Sequence, residues 1–152
     1  MKTSFPLFAL LGSLCAGLIA APGSAKDNEH KHKGGPNGGK LFGQVQPHAE
    51  FLVQKDRTVA ISFYDEAMKL VPVGAQTATL VAETKAGKTK IEFERKGNVL
   101  VSKGTLPEGD GYNLVLQFKQ TAEAKPQNFR FKFETHTCGE CRRMEYACTC
   151  DH

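Results

Sequence analysis

The sequence predicts an all-β, antiparallel fold, and three observations predict it. Apolar residues recur with period two through most of the stretch 40–134, turn-forming residues punctuate these runs, and no stretch sustains a helical period. Strict alternation suits half-buried strands, because successive side chains point to opposite faces of a sheet. Many short strands, each with one apolar face, are buried most economically by folding the sheet over itself. The expected architecture is therefore an immunoglobulin-like β-sandwich of about seven to eight strands.

In chain order, residues 1–25 come first. One early lysine, an apolar run from Phe5 to Ala21 and small residues up to Ala25 have the layout of a secretory signal peptide, with cleavage expected after Ala25. A membrane anchor fits less well, since Gly12, Gly17 and Pro22 interrupt a run near the lower length limit and no basic cluster follows. Cys15 follows the bulky Leu14, which argues against a lipid-attachment site. The reading is of an exported protein, periplasmic or extracellular, with no stable membrane insertion after cleavage.

Residues 26–39, KDNEHKHKGGPNGG, carry charge, glycine and proline but no periodic apolar residue, and are expected to form a flexible arm. Strands are expected near 40–45, 49–54, 58–64, 77–84, 89–95, 98–103, 112–120 and 128–134. Val59, Ile61 and Phe63 share one face, as do Leu114, Leu116 and Phe118, and Phe129, Phe131 and Phe133. These stripes are read as core rather than as a ligand platform. The segments QKDR, PVGAQ, KAGK, RKGN, PEGDG and AKPQ supply the turns. The β-domain is thus placed at 40–134 and a cysteine-rich tail at 135–152.

Removal of 25 of the 152 residues takes away Lys2 and no acid, which leaves nineteen Lys and Arg against sixteen Asp and Glu. A formal charge of +3 without a basic stripe does not suit nucleic acid. A domain of this size buries a core without cross-links, so the four remaining cysteines are not required for folding on grounds of size.

Those cysteines, Cys138, Cys141, Cys148 and Cys150, are spaced C-x2-C-x6-C-x-C. The C-x2-C pair turns two sulfurs toward one point, and six intervening residues can form a hairpin that returns the second pair. Four soft donors at this separation suit Zn(II), and thiolates also favour Cu(I). His136, Asp151 and His152 are candidates to replace a sulfur or to contact the ligands from outside, with His136 and His152 the preferred substitutes.

The competing expectation is a disulfide framework, ordinary for an even number of cysteines in an exported chain. Nested bridges Cys138–Cys150 and Cys141–Cys148 would staple the hairpin, and two other pairings are open. A bridge within C-x-C is disfavoured by its geometry. All four sulfurs lie beyond the last strand, so bridges among them would tie the tail only to itself and close no long loop. That placement favours the metal reading. Redox exchange fits poorly, because CGEC follows strands rather than opening a helix.

Lesser metal candidates are His30 and His32 in the arm and His48 before a strand. The competing readings are a solvated polar arm and an ordinary edge histidine. A terminal copper site needs histidine third, whereas His30 would be fifth after cleavage. No nucleophile with a base, no paired catalytic carboxylates and no phosphate-cradling loop is recognisable, so an enzyme is not expected.

The stretch GGPNGGKLFGQVQPHAEFLVQKDRTVAISFYDE resembles the small exported β-domain found alone, or at the front of periplasmic adaptor subunits, in heavy-metal cation efflux systems. Gly38 and Gly39, His48, Glu50 and Asp65 occupy places matching that family's motifs, and the likeness spans roughly 34–133. Asn37 stands where the family motif has histidine, and an amide is a poor ligand for a soft metal. The cysteine tail is no part of the resemblance. The resemblance implies a β-domain near a metal-efflux or other envelope protein. The whole reading is of a soluble protein that sequesters or delivers Zn(II) or Cu(I); the alternative is a disulfide-stapled interaction module that binds no metal.

Overall fold

A computed structural model describes residues 34–150, which lie within one compact unit. The expected signal at 1–25, His30 and His32 of the arm, and Asp151 and His152 fall outside the described residues.

The described residues are all-β and antiparallel, with nine strands among them: β1 (Lys40–Phe42), β2 (His48–Val53), β3 (Val59–Tyr64), β4 (Leu70–Val71), β5 (Thr77–Thr84), β6 (Gly87–Lys96), β7 (Val99–Ser102), β8 (Tyr112–Lys119) and β9 (Gln127–Phe133). A single 3-10 turn, η1 (Glu145–Ala147), follows among the described residues. The alternation read from sequence corresponds to these strands, with one addition. β4 has only two residues, paired with Tyr64 and Phe63 of β3. Two residues contain no period, and Pro72 ends the ladder by removing a donor.

The strands run in the order β1-β2-β3-β7-β6-β5-β8-β9, with β4 paired to β3 beside this path. They form one continuous antiparallel sheet curled into a half-barrel. β6 makes the continuity possible. Its first part pairs with β5 through Glu92, and its last four residues, Phe93–Lys96, pair with β7. The turn into β7 is a two-residue loop in which Gly97 takes φ +60°, a left-handed conformation open to glycine without a Cβ clash.

Curling brings the first and last strands toward each other over the interior. Phe63 of β3 lies 5.7 Å from Phe118 of β8, and Phe42 of β1 lies 4.6 Å from Phe129 of β9, centroid to centroid. Phe51, Ile61, Phe63, Leu80, Leu114, Leu116, Phe118 and Phe133 are fully buried. Phe129 and Phe131 are half-buried and pack on this core from the edge strand. Burying each such side chain contributes about 1.5–3 kcal/mol, so the phenylalanine stripes hold the half-barrel shut.

Candidate metal centre

Beyond β9 the chain forms a small knuckle. Cys138 N–H donates to the Arg143 carbonyl at 2.8 Å, and Arg142 N–H donates back to the Cys138 carbonyl at 3.1 Å. Arg142 sits at φ 60°, the left-handed turn that reverses the chain, and Thr137 pairs with Met144 in an isolated antiparallel bridge. The reversal allows η1 to carry Cys148 and Cys150 back beside Cys138 and Cys141.

The four sulfurs converge. All lie within 4.8 Å of one another, with Cys138 Sγ 3.9 Å from Cys150 Sγ and Cys141 Sγ 3.6 Å from Cys148 Sγ. A disulfide requires an S–S separation of about 2.05 Å, and both of these contacts are longer than that. A tetrahedral Zn(II) site with bonds of about 2.3 Å has S···S edges of about 3.8 Å, so the donor set has the size that such an ion needs. Cys138 is buried, and the other three are partly exposed.

Backbone donors prepare part of this cluster for charge. Amides of Cys141 and Glu140, followed by a hydrogen bond from Cys148, bring the Cys138 thiol down to about 6. The Arg143 amide lowers Cys141. Cys148 receives the Cys150 amide at 3.3 Å, which pulls it down, but desolvation and hydrogen bonds with Cys138 and Cys141 outweigh that and leave it raised. Burial, reinforced by the three neighbouring sulfurs, pushes Cys150 well above the usual thiol range. Four thiolates in one place repel one another, and a cation is what permits all four to ionise together.

The knuckle is anchored to the sheet by one aromatic residue. Tyr146, in the loop between Cys141 and Cys148, is buried, with its ring 6.2 Å from Phe51 of β2 and 5.6 Å from Phe133 of β9. Its hydroxyl accepts the Val53 amide at 3.1 Å, and its own amide donates to the Glu134 carbonyl at 3.1 Å. The tail is thus built into the domain through Tyr146. The sequence carried one signal of this: a tyrosine followed by alanine within the polar run RRMEYACTC.

The histidines stand apart from this centre where they are described. His136 is exposed, with Nε2 3.7 Å from Glu145, and is not one of the converging donors. His48 Nδ1 lies 3.0 Å from the Val45 carbonyl at the start of β2. His30, His32 and His152 lie outside the described residues.

Glu50 has a different role from any that a metal motif suggests. It is 1% exposed and accepts hydrogen bonds from the Asn37 amide at 2.8 Å, Asn37 Nδ2 at 2.8 Å, the Gly39 amide at 2.9 Å and the Tyr64 hydroxyl at 2.9 Å. Asn37 Nδ2 also donates to the Tyr64 hydroxyl at 2.7 Å. Gly35 packs so closely that a Cβ there would overlap the Glu50 carboxylate. Asn37 therefore acts as a donor to a buried carboxylate. Tyr64 is raised above its ordinary value by burial and by Glu50.

Comparison of the chain with protein-family models, with curated proteins and with solved structures gave no match.

Proposed function

We propose that this chain is an exported, soluble metal-binding protein that holds one Zn(II) or Cu(I) ion on Cys138, Cys141, Cys148 and Cys150. The convergence of four sulfurs within 4.8 Å of one another carries the reading. Binding serves sequestration or delivery of the ion, near a metal-efflux or other envelope protein, as the likeness of 34–133 to adaptor domains suggests. Export rests on the signal-like layout of 1–25, and the periplasm or the cell exterior is the compartment proposed. Four sulfur ligands complete a tetrahedral shell and leave no position for a reacting water, so the proposal is of a binding protein and not of an enzyme. The curled sheet is read as an immunoglobulin-like sandwich, supported by the contact of Phe63 with Phe118 across its interior.

One observation favours the second reading, a disulfide-stapled interaction module. The two close sulfur contacts, Cys138 with Cys150 and Cys141 with Cys148, are those of the nested pairing. Purification from the native compartment without chelator, followed by metal analysis and thiol titration on one sample, separates the two. About one equivalent of Zn or Cu, with thiols that react only after chelation, establishes the metal centre. Absence of both metal and reactive thiol establishes the staple.

A further inference from the structure

The sheet order leaves β1 and β9 at opposite ends, each paired along one edge only. Their phenylalanines meet across the interior, Phe42 with Phe129 at 4.6 Å and with Phe131 at 5.8 Å, but no ladder joins the two strands among the described residues. This is an open seam. Unpaired edges are where sheets fray and associate unless something covers them. Here η1 packs against both β1 and β9.

We propose that the four-cysteine centre is a metal-dependent clasp on this seam, in which an ion held by the sulfurs fixes Tyr146 and Ala147 over the junction of β1 and β9. The inference rests on the metal-binding reading. Tyr146 and Ala147 are buried within the six residues that separate Cys141 from Cys148, so an ion that fixes both ends of that loop restricts what lies between. Tyr146 reaches β2 through Val53 and Phe51, next to β1, and meets Phe133 of β9. Arg143, in the same loop, donates to the Gly35 carbonyl at 3.1 Å and so holds the residues that lead into β1. Residues 135–150 contain only an isolated bridge and one 3-10 turn, and a segment with so little regular structure opens locally at low cost unless it is cross-linked. The clasp gives the centre a consequence beyond holding an ion: the state of the metal is read out at the sheet edge.

Hydrogen exchange of the full chain, measured by mass spectrometry with and without one equivalent of Zn(II), tests this. Loading should slow exchange in β1, β9 and at Val53 by about tenfold or more, and leave the β5–β6 hairpin unchanged. Tyr146→Phe retains the ring and removes the hydroxyl; it should bind Zn(II) at the same stoichiometry but lose most of the added protection at Val53. Tyr146→Ala should uncouple the strands altogether. If Zn(II) binds and protection stays within residues 135–150 of the unsubstituted chain, the clasp is overturned and the metal-binding reading stands. If mass measurement finds no Zn(II) retained on the fully reduced chain, the metal reading fails and the clasp with it.

Discussion

Two polar sites lie close to the same edge of this sheet, and they are finished in different ways. At Glu50 the chain supplies every partner. Two backbone amides, the Asn37 side chain and the Tyr64 hydroxyl satisfy a carboxylate that is almost entirely removed from water. At the cysteine centre the sulfurs approach one another, Cys138 with Cys150 at 3.9 Å and Cys141 with Cys148 at 3.6 Å, and Cys148 accepts the Cys150 amide. A buried acceptor that already has its donors needs no ligand, whereas four convergent thiols that cannot all ionise without a counter-charge could hold one. The difference separates a structural polar node from a binding site more clearly than residue type does.

The comparison breaks most readily at the sulfurs. Cys148→Ser should lower metal affinity by on the order of a hundredfold or more, because the remaining three thiolates cannot complete the shell. Competition against a chelator of known affinity measures it. Glu50→Gln in the same assay should leave affinity within a few-fold. A loss there comparable with that of Cys148→Ser would show that the two sites are one.

Proton linkage gives the next largest effect. Cys148 and Cys150 are both held above the ordinary thiol value, so at neutral pH they carry protons that an incoming ion must displace. Affinity should therefore rise with pH, by about a decade or more per pH unit, and fall correspondingly on acidification. Calorimetry in buffers of different ionisation enthalpy counts the protons released. Release of none would mean that the thiols are ionised before the metal arrives.

At the polar node the expected readout is stability. Glu50→Leu removes the acceptor and leaves the Asn37 and Gly39 amides and the Tyr64 hydroxyl without it, at a cost of about 1–3 kcal/mol for each group left unsatisfied in the interior. Glu50→Gln keeps an acceptor oxygen and should cost less. Denaturant titrations of the metal-free chain rank the two, and equal stability of both variants and the parent would remove the node from the account of the fold.

The smallest effect belongs to Asp110, whose carboxylate accepts the Thr135 amide at 3.2 Å and the Thr135 hydroxyl at 2.9 Å where the tail begins. These bonds hold its folded pKa below the ordinary value, so their contribution is present at neutral pH and is lost as pH falls through the folded pKa. Asp110→Asn should flatten the acid limb of a thermal-stability profile slightly and leave metal binding untouched. An unchanged acid limb would show that the start of the tail is held by Tyr146 alone.

Much of the fold was legible in the chain because alternation survives wherever a strand is long enough to repeat itself. The stripes Val59, Ile61, Phe63 and Leu114, Leu116, Phe118 lie buried as the period implies. β4 escaped because a two-residue strand has no period, and the continuity of the sheet escaped because nothing in β6 marks where it changes partner, between Glu92 and Phe93. The cysteine spacing was equally legible as a convergent donor set. His136 was not excluded by sequence, since its distance from the sulfurs depends on how the knuckle turns at Arg142.

The sequence by itself determined the longer strands and the convergence of the four cysteines. Both follow from local rules, a period of two and the spacing of four sulfurs, that neighbouring residues express without help from the rest of the chain. Only the tertiary structure decided that Asn37, Gly39 and Tyr64 satisfy Glu50, and that Tyr146 carries the cysteine knuckle onto the sheet by a hydrogen bond to Val53, 93 residues away. Contacts at such separation are set by how the sheet curls, and that curl is a property of all nine strands packed together rather than of any one of them.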